Sequence, residues 1–252
     1  MKHALNDLIG YSIETNDGIK GTVKDFLFDE ERWIVRYLVA DLGLILPGKK
    51  AVIPKALLEQ PDWTTKNFLV NLSKKDLENS PPLKSAPTIS REYEESLNRY
   101  YRVENFWAYP QTYATPIGGN PVIFPKRPLK TPKKVGVEKN TKTKVRSFNE
   151  VRGYRIQATD GKIGHVDDLL VDDLDWQIVY ALMDTKNWVP WSKKVLVGTH
   201  WMQEINYEKE EIKINLDKET IQSAPEFDFS EPITDKYEKE LFNYYESSTV
   251  EH

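Results

Sequence analysis

The sequence contains no cysteine, and this absence excludes several kinds of site at once. Disulfides, thiolate nucleophiles, zinc–thiolate sites and iron–sulfur clusters all require cysteine sulfur. The four histidines, His3, His165, His200 and His252, have no common spacing of the kind that metal ligands show. We therefore predict neither a cofactor nor a metal site.

Long apolar segments are also missing. No stretch approaches the roughly 18 apolar residues of a membrane-spanning helix, and the first residues, Met1–Asp7, do not form an apolar signal segment. The formal net charge of −4 is too small to draw the whole chain to nucleic acid or to an acidic membrane. These features favour a cytoplasmic protein without a membrane span.

Motifs of enzymes are absent as well. The sequence contains no nucleophile elbow and no glycine-rich phosphate loop, since its glycines fall singly in turns or, at Gly118-Gly119, in a proline-rich segment. The acidic residues between 167 and 175 lack the alternating oxygen spacing of a calcium loop. For these acids, and for Asp25, Asp29 and Asp41, we expect roles at turns and strand edges. We predict no catalytic residue and no enzymatic activity.

The chain does contain an internal duplication. When residues 4–41 are laid over 147–184, fourteen of 38 positions are identical, whereas ordinary composition gives roughly two by chance. The match continues after a slip of one residue, so that the offset changes from 143 to 144. The predicted organisation is a first unit at 1–104, a linker at 105–146 and a second unit at 147–252.

Each unit is predicted to consist mainly of short strands. In the first unit these are Tyr11–Thr15, Gly21–Asp29, Trp33–Asp41, Ala51–Ile53 and Phe68–Leu72, separated by turn residues such as Asn16-Asp17-Gly18. In the third strand, positions 33, 35, 37 and 39 keep their character in both repeats, and we expect them to face the core. This pattern is typical of a small closed or half-open β-barrel.

A short helix is predicted to follow each barrel. Ser90 and Thr234 stand at the N-cap positions, where a side-chain oxygen can accept from the free N–H groups of the first turn. The repeated apolar residues follow at positions 93, 97, 100 and 101 of the first unit, which is one stripe of a helix.

The linker differs in composition from both units. It contains six prolines and nine lysines or arginines, against the single acid Glu138. Such a composition predicts an extended, partly disordered segment.

Both repeats resemble PRC-barrel domains. In the first repeat the resemblance rests on Leu8-Ile9-Gly10-Tyr11, Asp17-Gly18, Gly21, Val23–Asp29, Trp33–Val39, Gly48-Lys49-Lys50, Val52-Ile53-Pro54 and Ser80-Pro81. The tail from Tyr93 to Tyr101 is similar to the segment that often follows this barrel in bacterial proteins. In the second repeat Ser192 and Gly198 replace Gly48 and Pro54, so its loop end departs from the pattern.

The resemblance implies an all-β-dominated fold of two small PRC-type β-barrels in tandem, each followed by a short C-terminal helix. The family includes the cytoplasmic domain of the photosynthetic reaction centre H subunit and the C-terminal domain of a ribosome maturation factor, where the domain serves docking or assembly. It therefore implies a non-enzymatic protein-binding or scaffold module. Its two units are expected to form an internal pseudo-dimer that binds protein partners.

Candidate partner-binding residues lie in two loop regions. Trp188 and Trp191 flank Pro190, and exposed aromatic side chains often dominate binding energies. Trp107 begins the linker and is a further candidate. The alternative function is that of an RNA- or ribosome-associated factor that uses the basic linker 126–146. Its candidate phosphate contacts include Lys126, Arg127, Lys133 and Lys134.

Overall fold

The structure of the chain is a computed structural model that describes residues 1–18, 20–43, 48–83, 88–105, 142–185, 193–228 and 232–250. Within these ranges the chain is dominated by β-structure. The described strands are β1 (Lys2–Ala4), β2 (Ser12–Thr15), β3 (Lys20–Asp29), β4 (Ile34–Asp41), β5 (Lys50–Pro54), β6 (Asn67–Val70), β7 (Thr88–Ser90), β8 (Lys142–Ser147), β9 (Arg155–Ala158), β10 (Gly161–Asp172), β11 (Ile178–Asp184), β12 (Lys194–Gly198), β13 (Met202–Asn206) and β14 (Glu211–Ile214).

The helices are short, apart from the two tails. Those described are α1 (Leu5–Leu8), α2 (Lys74–Glu78), α3 (Arg91–Tyr101), α4 (Phe148–Val151), α5 (Lys218–Ser223) and α6 (Asp235–Val250), with single 3₁₀ turns at Lys55–Leu57 and Thr199–Trp201. None of the helices in the described ranges combines the length and apolar character that crossing a bilayer demands.

The predicted tail helices are present in both repeats, and their N-caps are those expected. The Ser90 hydroxyl accepts from the Tyr93 N–H at 3.1 Å, and the Thr234 hydroxyl accepts from the Tyr237 N–H at 3.2 Å. Each bond satisfies one of the N–H groups that lack a partner in the first turn of a helix.

The strands of the first repeat form a mixed sheet in the order β5-β4-β3-β2-β6. Neighbouring strands along β5-β4-β3-β2 are antiparallel, whereas β6 runs parallel to β2. The predicted Asn16-Asp17-Gly18 turn joins β2 to β3, and Gly18 adopts a φ of 79° there. Glycine suits this turn because its backbone enters the left-handed region without a steric penalty.

The strands of the second repeat form the same pattern, in the order β12-β11-β10-β9-β14-β13. Here β14 runs parallel to β9, as β6 does to β2. Among the described residues neither sheet closes on itself through strand pairing, so complete barrels are not observed. The reason is visible at one corner: a 3₁₀ turn at Thr199–Trp201 stands between β12 and β13, and these consecutive strands do not pair.

The two compact units of the fold do not follow the order of the chain. Of the described residues, one unit contains residues 1–4 and those from 151 onward, and the other contains residues 5–105 and 142–150. Consequently β1, which precedes the first repeat, pairs with β10 of the second repeat. In the same way β8, which precedes the second repeat, pairs with β3 of the first.

The two exchanged strands occupy equivalent places. Ala4 pairs with Leu170 in one unit, and Ser147 pairs with Leu27 in the other. The offset of 143 relates both members of these pairs. In each sheet the long central strand pairs with β2 or β9 along its first part and with the exchanged strand along its last three residues. The exchanged strand therefore covers a stretch of backbone that would otherwise be an open sheet edge.

The strand predicted as the third of the first repeat is β4, and it is buried on both faces. Val35, Tyr37 and Val39 are buried as predicted, but Arg36 and Leu38 between them are also at most 8% exposed. A β-bulge lies here, because Leu27 pairs with Tyr37 whereas Phe28 pairs with Val35. The bulge turns Arg36 out of the regular alternation of side chains. The same irregularity recurs in β11 at position 179.

The tryptophan that was expected to begin this strand lies instead in the preceding turn. Trp33 and Trp176 adopt positive φ values of 53° and 64°, and both are 4% exposed. For a bulky residue this backbone conformation costs about 1 kcal/mol or more. Burial of the indole, which stacks on Phe28 at 5.5 Å in the first repeat, offsets that cost.

Candidate functional site: polar joints and strand-accepting edges

A cluster of buried polar side chains connects α3 to the sheet of its unit; we call it the first polar joint. The Glu94 carboxylate is fully buried and accepts the Tyr37 hydroxyl at 3.0 Å. One guanidinium nitrogen of Arg36 lies 2.8 Å from the same oxygen of Glu94. Arg91 approaches the second Glu94 oxygen at 3.4 Å. Arg36 also lies 3.6 Å from the buried Asp29 carboxylate, so the joint holds two carboxylates, two arginines and a phenol.

Burial dominates the electrostatics of the first polar joint. Loss of hydration raises the pKa of Glu94, and the nearby charges of Arg36 and Arg91 oppose that shift. Burial likewise raises the pKa of Tyr37, and the adjacent Glu94 carboxylate raises it further. Such a group is suited to holding α3 in place, because a buried carboxylate is stable only where its partners remain in contact.

The second polar joint, in the other unit, has the same core but a different cation. The Tyr180 hydroxyl donates to Glu238 on α6 at 2.8 Å, as Tyr37 does to Glu94. The other Glu238 oxygen lies 2.7 Å from the ammonium group of Lys2, which is on the exchanged strand β1. Here the position equivalent to Arg36 is Val179.

The two joints therefore carry their cation at different positions: one joint has it at the bulge of the third strand, and the other has it on the exchanged strand. In the first unit the cation is Arg36, and the residue equivalent to Lys2 is Val145 on β8. In the second unit the cation is Lys2, and the residue equivalent to Arg36 is Val179. Each buried glutamate obtains a cation from these two positions only when β1 and β8 are exchanged. Unexchanged strands would place Arg36 and Lys2 in one unit and the two valines in the other, which costs several kcal/mol for an uncompensated buried charge.

Tyrosine hydroxyls hold both tail helices in the same way. Tyr93 and Tyr100 donate to the carbonyl oxygens of Pro81 and Asp76, at 3.1 and 2.8 Å. The equivalent bonds in the second repeat run from Tyr237 to the Pro225 oxygen at 3.4 Å and from Tyr244 to the Thr220 oxygen at 2.7 Å. Burial raises the pKa of Tyr237 to about 12, so this hydroxyl keeps its proton over the physiological range.

Another repeated contact connects the residue before β5 or β12 to helix α2 or α5 of the same repeat. Lys49 and Lys193 donate to the carbonyl oxygens of Glu78 and Gln222, which are equivalent residues. The neighbouring Lys194 lies 2.6 Å from a carboxylate oxygen of Asp167. Lys49, Lys193 and Lys194 thus each contact their own unit.

Asp25 fastens the first repeat to the residues around the end of β8. Its carboxylate accepts the Ser147 hydroxyl at 2.5 Å and the Asn149 N–H at 3.1 Å. The Asn149 amide also donates to the Lys24 carbonyl at 2.7 Å. Burial raises the pKa of Asp25, while these hydrogen bonds act in the opposite direction. Asn149 and Asp25 both recur in the other repeat, as Asn6 and Asp168.

The expected turn roles are confirmed for three of the acidic residues, whereas Asp25 is half-buried and binds Ser147 and Asn149 instead. Asp29 accepts from the N–H groups of Glu31 and Arg32, Asp41 from that of Gly43, and Asp172 from that of Leu174. Within the described ranges, no cluster of three or more acidic or histidine side chains is arranged to hold a metal ion.

The predicted partner-binding residues lie outside the described residues. They are Trp188, Trp191, Trp107, Lys126, Arg127, Lys133 and Lys134. Their role stays a prediction. Sequence reasoning missed the two polar joints, although the chain carried a signal for them: Tyr37 and Glu94 are retained as Tyr180 and Glu238.

Residues 144–221 match the family model of the PRC-barrel domain. The chain contains a PRC-barrel domain. The match begins within β8 and ends within α5, so it includes the exchanged strand that precedes the second repeat together with the strands of that repeat. No curated protein shows significant similarity to the chain.

Proposed function

We propose that the chain is a non-enzymatic protein-interaction or scaffold module built from two PRC-barrel repeats. The family match at 144–221 supports this for the second repeat. For the first repeat, support comes from its fourteen identities with the second and from the same strand order. The residues retained in both repeats include the tyrosines, lysines and acids of the contacts described above. Their repeated use in holding strands and helices favours a structural and binding role.

The observation that carries this proposal is that each sheet is completed by a strand from outside its own repeat. Addition of a strand to an exposed sheet edge is a common mode of protein recognition, in which backbone hydrogen bonds give affinity and side chains give specificity. The same exchange supports the predicted internal pseudo-dimer, because each repeat needs the segment that precedes the other. A cytoplasmic location and a role like that of the reaction centre H subunit stay predictions.

Affinity capture with the full-length chain tests this proposal. The tagged protein is incubated with lysate of the source cell at low and moderate salt, and bound proteins are identified by mass spectrometry. The W188A/W191A variant should lose a partner that the wild type retains at moderate salt. Leu174→Ala is the matched control, because Leu174 is an exposed apolar residue at 72% in the second unit. A wild-type profile identical to that of an unrelated protein of similar charge would contradict the proposal.

The RNA-binding alternative rests on the nine basic residues of the linker. Contacts of this kind to phosphates weaken steeply as salt rises, because binding releases counterions. If the alternative is right, RNA or ribosomal proteins should be captured at low salt and released at moderate salt. Replacing Lys126, Arg127, Lys133 and Lys134 with glutamine should then remove this capture and leave any protein partner bound.

A further inference from the structure

We propose that the edges of β3 and β10 are strand-accepting sites for a second copy of this chain, and that the polar joints determine which strand each edge accepts. This inference goes beyond the proposed function, since it concerns self-association and holds whichever other proteins the chain binds. The ligand is an extended segment equivalent to β1 or β8, followed directly by the first turn of α1 or α4.

The two strand-accepting edges are equivalent. The edge of β3 over Leu27–Asp29 and the edge of β10 over Leu170–Asp172 receive their strands in the same register. A site that binds a segment from a distant part of its own chain binds the identical segment of another copy through the same contacts. Exchange of an identical element between protomers is a low-cost route to association for this reason.

The strand pairing that must open before β1 can exchange is short. β1 is joined to β10 over three residue pairs. Of its side chains, Ala4 is buried, whereas Lys2 and His3 are only partly buried. Its release breaks the Lys2 contact with Glu238 but exposes little apolar surface, and local opening of a short element requires much less free energy than global unfolding. The edge left behind is a row of unpaired backbone groups, which favours rebinding of a strand.

The polar joints make each edge specific for one strand. An incoming strand with lysine at the position of Lys2 supplies the cation that Glu238 needs, because Val179 occupies the place of Arg36 in that unit. The β3 edge instead accepts valine at this position, since Arg36 already contacts Glu94 at 2.8 Å. A second lysine there would meet two arginines. The β1 of a second copy is therefore expected at β10, and its β8 at β3.

Formation of a disulfide between two copies tests the proposal. Because the natural sequence contains no cysteine, only the introduced cysteines can form it. Lys2 and Asp172 are direct partners, and the Asp173 N–H donates to the Met1 oxygen. This bond identifies Lys2 and Asp172 as a non-hydrogen-bonded pair, whose Cα atoms lie about 4.5 Å apart, within reach of a disulfide. Full-length K2C and D172C proteins with different tags are mixed over a range of concentrations under mild oxidation.

The expected result is a disulfide-linked heterodimer whose yield rises with protein concentration. Its formation should be at least about tenfold faster than for the control pair K2C and K236C, because pairing holds the sulfur atoms together. Lys236 is a suitable control since its side chain is 87% exposed. Equal rates for both pairs at every concentration would overturn the proposal.

A second pair protects the test against a variant that fails to fold and against the loss of the Lys2 cation in K2C. In the first unit Val145 and Asp29 are direct partners of the same kind, since the Glu30 N–H donates to the Lys144 oxygen. The V145C and D29C proteins should also give a heterodimer, at a rate above that of V145C with K236C. Failure of both folded pairs would refute strand exchange between copies, and capture of other proteins would be unaffected.

Discussion

Replacement of Arg36 with methionine should destabilise the first unit strongly, although Arg36 lies on no predicted binding surface. The side chain of Arg36 is 6% exposed, and its partner Glu94 is fully buried. Methionine preserves much of the aliphatic volume but removes the cation 2.8 Å from the Glu94 oxygen. The carboxylate then keeps only the Tyr37 hydroxyl and the more distant Arg91.

The size of the effect follows from the burial of this pair. An exposed ion pair contributes at most about 1 kcal/mol, whereas removing one partner of a buried pair costs about 3 to 5 kcal/mol because the other charge is left uncompensated. Arg91, at 3.4 Å from the second Glu94 oxygen, compensates part of this loss. We therefore expect R36M to lower the free energy of unfolding by about 3 kcal/mol.

Urea denaturation of the full-length chain, followed by circular dichroism and by hydrogen exchange in α3, measures this effect. Val179→Met is the matched control, since it places methionine at the equivalent position of the second repeat and should change stability by less than about 1 kcal/mol. Adding Glu94→Gln to R36M should recover part of the loss, because the buried charge is removed. A loss of stability for R36M no larger than for V179M would refute the reasoning.

Three further predictions concern the second repeat and can be tested by the same unfolding measurements. Lys2→Val should lower the free energy of unfolding by about 2 kcal/mol and increase hydrogen exchange in α6 but not in α3. The double variant K2V/V179R should restore both the stability and the slow exchange, and failure of this rescue would contradict the second polar joint. Burial lowers the pKa of His200 from 6.5 to about 4, so the unfolded state binds more protons between these values, and stability should fall as the pH decreases from 6.5 towards 4. H200Q should flatten this dependence, and identical profiles for wild type and H200Q would contradict the prediction. Gly164→Ala should lower the free energy of unfolding by more than about 2 kcal/mol, because an added Cβ would lie 2.1 Å from the Asp184 carbonyl oxygen at a φ of +56°. In the control Gly18→Ala the added Cβ meets no atom within 4 Å, so the loss should be about 1 kcal/mol. Equal losses of stability for the two variants would contradict the close approach at Gly164.

Much of the secondary structure could be predicted because it depends on local patterns. Turn residues such as Asp17-Gly18 and caps such as Ser90 act within a few residues of the chain, and alternation identified the buried set that includes Val35 and Tyr37. The repeat itself strengthened each of these predictions, since a chance pattern does not recur at a constant offset.

The exchange of β1 and β8 was not predicted, because the two possible pairings use equivalent residues. Either strand presents a similar backbone to either edge, so neither propensity nor alternation distinguishes a strand paired with its own repeat from an exchanged one. The distinction resides in side chains far apart in sequence, above all Lys2 with Glu238. Burial of Arg36 was missed for a related reason, since a β-bulge breaks the period of two on which the prediction depended.

The most direct test of the account compares two double-cysteine variants of the single chain at low protein concentration. K2C/D172C joins the exchanged partners, whereas K2C/D29C joins the residues that would be partners if β1 paired within its own repeat. Mild oxidation followed by gel electrophoresis without reductant, and by mass spectrometry of the linked peptides, measures the disulfide within one chain. The account predicts a rapid intrachain disulfide in K2C/D172C and none above background in K2C/D29C. The reverse pattern would show that each repeat keeps its own strand, and it would contradict the exchange on which both the polar joints and the strand-accepting edges depend.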